Sequence, residues 1–217
     1  MGDFSILKDR HRKERHSYSE YLSVRVHRAL SWLQRAEQCG EDLDGQFIFL
    51  WIAFNAAYAN EILRGNRPHE QEAFNLFLQR LCDLDDNQRL HDLIWKEYTN
   101  YIRTLLGNKH VYQPFWDYKN GKITEGEWAG SFSRARKAAT RAIGRGDTPK
   151  VLGIILSRLY TLRNQLMHGG ATWNSSVNRD QIRDCSRIIG CLVPAIVEIM
   201  MDHPNELWGQ PCYPVLD

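Results

Sequence analysis

Apolar residues recur every three or four positions along most of the chain, which is the spacing of helices that bury one face. The sequence does not show the strict alternation of apolar and polar residues that half-buried strands require. The pattern therefore predicts an all-α fold, an up-and-down bundle of about six or seven helices. The predicted helices cover approximately 17–39, 44–63, 69–84, 85–106, 124–143, 148–170 and 178–201.

The helical pattern also predicts the domain organisation. Residues 17–202 are expected to form a single domain, since a chain of 217 residues suffices for one sizeable core and is short for two. Residues 1–16 are mainly charged and are predicted to be a loosely ordered basic arm. Residues 107–126 lack a helical period and are rich in aromatic side chains, so we expect an irregular insertion there. Residues 203–217 are expected to form a C-terminal tail.

One predicted helix, over 148–170, carries signals at both ends. Asp147 or Thr148 can cap its start, and Pro149 suits the first helical position. Gly169 and Gly170 can supply the left-handed conformation that ends a helix.

The last turn of this helix departs from the apolar pattern. Asn164 and His168 are four residues apart and therefore share a face, and the long side chain of Arg163 can reach the same place. The sequence thus predicts that a cation, an amide and an imidazole converge beside a glycine turn that leaves room for a ligand.

The segment Arg163-Asn-Gln-Leu-Met-His168 resembles the R-x4-6-H motif of the HEPN superfamily of helical domains. Arg163, Asn164 and His168 match the arginine of the motif, the polar residue that often follows it, and its histidine. A second match, Arg64…His69, lies in a segment with glycine and proline and not at the end of an amphipathic helix. The run 47–60 is similar to an early helix of the bacterial, Apea-like members.

The resemblance implies a metal-independent endoribonuclease without a cofactor. Histidine transfers protons near neutral pH, and arginine presents a permanent charge in a fork that matches two phosphate oxygens. Asn164 can bind phosphate or orient the imidazole. We therefore expect Arg163, Asn164 and His168 to be catalytic and to cut RNA to a 2′,3′-cyclic phosphate, or 3′-phosphate, and a 5′-hydroxyl.

The resemblance also implies partners. One histidine cannot easily serve both proton transfers, and members of the superfamily bring two copies of the motif across one cleft, so a homodimer is expected. The implied context is prokaryotic defence or a toxin–antitoxin system, with a cognate antitoxin or defence partner. Two alternatives stay open: a non-catalytic nucleotide-binding module that partners an effector or a nucleotidyltransferase, and an interaction module that docks through the region 116–128.

Two further features have more than one interpretation. The basic residues Arg134, Arg136, Lys137 and Arg141 precede the motif helix and are either a solvated helix face or contacts for RNA phosphates. Asn55, the single polar residue in the apolar run 47–59, is either a hydrogen-bonded core amide or a residue that orients the motif or contributes to a dimer contact.

Composition narrows the class of protein only slightly. The net charge of +2 is compatible with an RNA substrate without arguing for one. The five cysteines lack C-x2-C spacing and are expected to be free thiols in a reducing cytoplasm. The charged residues that follow the start do not resemble a signal peptide, and the run 47–59 is too short to span a bilayer, so no membrane association is expected. His91 and His110 lack neighbours at metal-ligand spacing and are expected on the surface or in loops.

Overall fold

The fold is all-α, as predicted. A computed structural model of the chain describes residues 3–59, 67–97 and 99–213, with the backbone alone at 67–71 and 73. The α-helices among these residues are α1 Asp3–Glu14, α2 Glu20–Glu37, α3 Leu43–Tyr58, α4 Arg67–Asp83, α5 Arg89–Asp92, α6 Thr99–Gly107, α7 Gln113–Lys119, α8 Glu125–Gly144, α9 Thr148–Met167 and α10 Arg179–Asp202. None of the helices in these described ranges is long and apolar enough to cross a membrane.

The chain divides into two compact units, whereas a single domain over 17–202 was expected. The first unit contains 1–90 and 185–217, and the second contains 91–184. One boundary falls within α5, between residues 90 and 91, and the other falls within α10, between residues 184 and 185.

The first unit is built around α2 and α3. Ser19 caps α2 by accepting a hydrogen bond from the Leu22 N–H, and Asp42 caps α3 in the same way from the Gly45 N–H. The apolar face of α2 is buried, as are seven of the 16 residues of α3, and the other nine residues of α3 are half-buried. This part of the fold follows directly from capping residues and apolar spacing.

The prediction of a loosely ordered N-terminal arm is wrong, because residues 3–14 form α1 and pack against α2. Leu7 and His11, four residues apart, are only 2% and 1% exposed. Arg10 forms an ion pair with Asp202 of α10 (2.8 Å). The many charges in this segment concealed a narrow buried stripe on one helix face.

The C-terminal segment is attached to the first unit through backbone carbonyls. Arg25 donates hydrogen bonds from Nε to the Gly209 carbonyl and from Nη2 to the Gln210 carbonyl, both at 3.0 Å. Trp208 packs in the core at 7% exposure. Every residue has a backbone carbonyl, so the sequence could not indicate that those of residues 209 and 210 bind Arg25. The lack of helical periodicity over 203–217 predicted only a tail.

The second unit has more and shorter helices than predicted, so the expected six or seven helices are too few. The single helix expected over 85–106 is divided into α5, a π-helical turn over Leu93–Glu97 and α6. The Thr99 hydroxyl donates to the carbonyls of Ile94 and Trp95, which competes with the regular helical ladder. Part of the expected irregular insertion over 107–126 also forms a helix, α7, which starts at Gln113-Pro114.

Candidate functional site

The predicted motif helix is α9, and its start is fixed in two ways. Asp147 caps it by accepting a hydrogen bond from the Lys150 N–H (3.2 Å). Trp95 donates from Nε1 to the Thr148 hydroxyl (3.0 Å). The apolar stripe of α9 is buried as predicted from Val151 to Leu162, so the helix presents its last turn in a defined orientation within the second unit.

The end of α9 is a Schellman turn, and it carries the predicted histidine. The Gly170 N–H donates to the Gln165 carbonyl (2.7 Å), and the Gly169 N–H donates to the Leu166 carbonyl (3.2 Å). Gly169 has a φ of +68°, a backbone conformation that residues other than glycine rarely adopt. His168 is the capping residue; its backbone N–H donates to the Asn164 carbonyl (3.0 Å), and its imidazole is exposed.

Arg163 and Asn164 are coupled to each other. Arg163 donates from Nη1 to the Asn164 Oδ1 atom at 3.0 Å, and both side chains are half-buried. Asn164 therefore orients the guanidinium, and its Nδ2 atom forms no hydrogen bond with the residues that the structure describes. Because Asn164 and His168 are one turn apart, the three predicted residues share the last turn of α9.

A second histidine, His110, is attached to this turn, and the sequence interpretation assigned it no role. Gln165 donates from Nε2 to the His110 carbonyl (2.7 Å), and Trp116 donates from Nε1 to the same oxygen (2.7 Å). Burial, with a contribution from Lys109, lowers the pKa of His110, which favours a neutral imidazole. Sequence spacing could not have revealed this neighbour, since 55 residues separate it from Gln165.

Large apolar side chains are exposed on and just after α9. Tyr160 is 53% exposed and Met167 is 54% exposed, and they lie four residues before and three after Asn164. Trp173 and Val177, in the loop that follows, are 74% and 89% exposed. An exposed apolar surface that includes the motif turn is suited to contact with another chain.

The basic residues predicted as RNA contacts lie on α8, and the structure separates them. Arg136, Lys137 and Arg141 line a groove of about 610 Å³, together with Trp128, Phe132 and Ser133. Arg134 is exposed on the same helix but does not line the groove; its Nη1 atom lies instead near Gly130.

Arg158 of α9 is a buried cation that the sequence interpretation left without a role. It is 3% exposed, and its guanidinium carbon lies 4.2 Å from the centre of the Tyr112 ring and 5.9 Å from that of Phe132. Its Nε atom is buried without a hydrogen-bond acceptor among the described residues. Burial lowers the pKa of Arg158, although an arginine stays charged at neutral pH.

The structure gives no support for a functional role of the other residues that the sequence singled out. Asn55 is half-buried in α3 of the first unit, and the hydrogen bonds of the described residues include none to its side chain, so neither interpretation of it gains support. Arg64 of the second R-x4-H match lies outside the described residues, as does the side chain of His69. In the ranges that the structure describes, no three His, Cys, Asp or Glu side chains form a group able to hold a metal ion.

The geometry defines a helical protein in which α9, an amphipathic helix of 20 residues in the second unit, ends in an Arg-Asn-x3-His turn. The chain matches no protein-family model, no curated protein and no solved structure.

Proposed function

We propose that this protein is a metal-independent endoribonuclease of the HEPN type, with Arg163, Asn164 and His168 as its catalytic residues. The observation that supports it best is the last turn of α9, where Asn164 orients Arg163 through a 3.0 Å hydrogen bond and the glycine turn leaves His168 exposed. An exposed imidazole on the same helical turn as an oriented guanidinium is suited to a phosphodiester substrate.

The proposed reaction uses the ribose of the RNA as the nucleophile. A neutral imidazole removes the proton of the 2′-hydroxyl, and the 2′-oxygen attacks the adjacent phosphorus. Arg163 neutralises the charge that accumulates on the phosphoryl oxygens. A protonated imidazole donates its proton to the departing 5′-oxygen, which leaves a 2′,3′-cyclic phosphate and a 5′-hydroxyl. General acid–base catalysis of this kind contributes roughly 10²–10⁴-fold to a rate.

The reaction needs two proton-transfer groups, and His168 of a second copy is the first candidate for the other one. The exposed side chains of Tyr160 and Met167 flank the motif on α9 and offer apolar surface for a two-fold contact. His110 of the same chain is the second candidate, because Gln165 fixes its backbone next to the motif turn and its lowered pKa favours the base form.

The test is incubation of purified protein with a mixed single-stranded RNA in EDTA, followed by analysis of the product ends. We expect cleavage to cyclic-phosphate ends by the wild type and a loss of at least about 100-fold in Arg163→Ala and His168→Ala. His69→Ala, which removes the histidine of the other R-x4-H match, serves as the matched control and should cleave normally. Cleavage that persists in both motif variants would exclude this site.

The same experiment separates the alternatives. Nucleotide binding without cleavage would need Arg163 and not His168, and docking through the region 116–128 would need neither. A prokaryotic defence or toxin–antitoxin role, with a cognate protein partner, belongs to the proposal and is tested by toxicity of the wild type, but not of His168→Ala, on expression in bacteria.

Sedimentation separates the two candidates for the second proton-transfer group. If a second copy supplies it, Met167→Glu should yield monomers and abolish cleavage, whereas Leu76→Glu, at an exposed leucine of α4, should change neither. If His110 supplies it, a monomeric Met167→Glu variant should retain cleavage and His110→Ala should lose it.

A further inference from the structure

The groove on α8 combines aromatic and cationic side chains. Trp128 and Phe132 lie at one end of its lining along the helix, and Arg136, Lys137 and Arg141 continue it. Among the described residues, these three cations form no ion pair, and the lining contains no acidic side chain. The groove is therefore a concentration of positive charge beside aromatic rings.

Two buried hydrogen-bond donors at this place have no acceptor in the described part of the chain. Trp128 Nε1 is inaccessible and unpaired although the residue lines the groove. Arg158 Nε is also inaccessible and unpaired, and its guanidinium lies 5.9 Å from the ring centre of Phe132, a lining residue. A buried donor without an acceptor is destabilising, and a buried cation without one is more so.

The aromatic rings compensate Arg158 only in part. The contact with Tyr112 at 4.2 Å stabilises the charge through the face of the ring. It supplies no oxygen to the guanidinium donors, which form planar hydrogen bonds with phosphate or carboxylate oxygens when these are present. The Arg158 guanidinium and the Trp128 N–H therefore lack an oxygen acceptor, and an anionic one would suit the arginine best.

We propose that the α8 groove is a second binding site, for a nucleotide unit that consists of an aromatic base and a phosphate. The base stacks on Phe132 and Trp128, since stacking on aromatic side chains accepts any base. The phosphate is bound by Arg136, Lys137 and Arg141, which line the groove. Arg158 and the Trp128 N–H are covered in the free protein and provide inner donors once the ligand displaces the side chains above them. A volume of about 610 Å³ is within the range of small-ligand sites.

This site is separate from the motif turn and does not require catalysis. The nucleotide unit can come from a free nucleotide or from a strand of RNA that continues beyond the cleaved bond. Both sources present an aromatic base and a phosphate, and titration with a nucleoside triphosphate and with a strand distinguishes them. Binding can be measured in His168→Ala, so a failure of the cleavage proposal leaves this one testable.

The experiment is calorimetric titration of His168→Ala with three probes in EDTA: adenosine 5′-triphosphate, inorganic pyrophosphate and an eight-nucleotide deoxyribonucleotide strand. The deoxy strand lacks the 2′-hydroxyl and therefore cannot be cut by the proposed reaction. We expect the triphosphate or the strand to bind at least about tenfold more tightly than pyrophosphate, since stacking adds affinity that charge alone does not. Tighter binding of the strand would assign the site to RNA, and tighter binding of the triphosphate would assign it to a free nucleotide.

Variants on the same helix give the matched control. Lys137→Ala and Arg136→Ala should each weaken binding about tenfold, while Arg134→Ala, which removes the same charge outside the groove, should stay within about twofold. Phe132→Leu should remove the preference over pyrophosphate. Equal losses in Arg134→Ala and Arg136→Ala, or no binding of any probe at millimolar concentration, would overturn the proposal.

Arg158 supplies the most discriminating variant. Arg158→Met should weaken binding about tenfold and leave the melting temperature unchanged or higher, because it removes an unpaired buried charge. Arg158→Lys, which keeps the charge but loses the planar fork, should also weaken binding. If both variants bind as tightly as the parent, Arg158 has no part in the site and the inner-donor assignment is wrong.

Discussion

Among the residues that the structure describes, each unit contains one buried arginine, and the surroundings of the two differ. Arg25 of the first unit is 0% exposed and donates to the carbonyls of Ala57, Gly209 and Gln210 at 2.9–3.0 Å. Arg158 of the second unit is 3% exposed and has aromatic rings beside it, but its Nε has no acceptor among the described residues. The first arrangement cross-links distant segments of backbone, whereas the second retains unused hydrogen-bonding capacity.

The hydrogen bonds of a buried cation distinguish a structural residue from a candidate binding residue. Burial lowers the pKa of Arg25 to about 10 and also lowers that of Arg158, so desolvation destabilises the charge of both guanidinium groups. Among the described residues, Arg25 offsets this cost through hydrogen bonds to backbone carbonyls, whereas the Nε atom of Arg158 has no acceptor. A buried cation that destabilises the free protein because it has no acceptor is expected at a site where a bound ligand supplies the acceptor.

Replacing each arginine with methionine gives the largest expected difference. Arg25→Met leaves the carbonyls of Ala57, Gly209 and Gln210 without this donor, so we expect the free energy of unfolding to fall by about 4 kcal/mol. Arg158→Met should change it by less than about 1 kcal/mol. Urea denaturation measures both, and Arg12→Met, at a largely exposed side chain, is the control. Similar losses at positions 25 and 158 would remove the distinction.

A buried histidine in the first unit extends the comparison, because a histidine can avoid a buried charge by releasing its proton. Burial, together with the charges of Lys8, His27 and Arg15, lowers the pKa of His11 from the ordinary 6.5 to about 4, and the backbone of Ser23 opposes the shift. The unfolded chain therefore binds a proton at higher pH than the folded protein. The stability that depends on neutral His11 is fully present above pH 6.5 and is lost as the pH falls to about 4. The loss over this range should be about 3 kcal/mol.

Urea denaturation between pH 7.5 and 4 measures this loss, and His11→Leu supplies its control. The variant should lose less stability on acidification than the wild type, since it cannot take up the proton. Parallel decreases in the two proteins would mean that other groups account for the acid sensitivity.

The smallest expected effect concerns the turn that positions His168. Gly169→Ala places a side chain at a φ of +68°, and we expect a loss of about 1 kcal/mol together with weaker RNA cleavage. Gly144→Ala, at the end of α8 where nothing lies within 4 Å of the new methyl group, should cost nothing and leave cleavage unchanged. An unaltered Gly169→Ala protein would show that the turn adapts without displacing the histidine.

Much of the fold was determined by local sequence. Asp147 caps α9 as predicted, and Ser19 and Thr124 cap α2 and α8 in the same way, because capping needs only a side-chain oxygen and the next turn of backbone. The last turn of α9 was likewise predicted with its three polar residues on one turn, since helical spacing and a Gly-Gly stop fix it. These features depend on interactions across three or four residues.

Tertiary structure decided what depends on distant partners. Sequence could not show that α1 buries Leu7 and His11, that Arg25 binds carbonyls 184 and 185 residues away, or that Gln165 holds His110 beside the motif. Nor could it divide the basic residues of α8 into Arg136, Lys137 and Arg141, which line a groove with two aromatic rings, and Arg134, which does not. A backbone carbonyl or the face of a ring is available at nearly every residue, so only the folded chain determines which one a charged side chain meets.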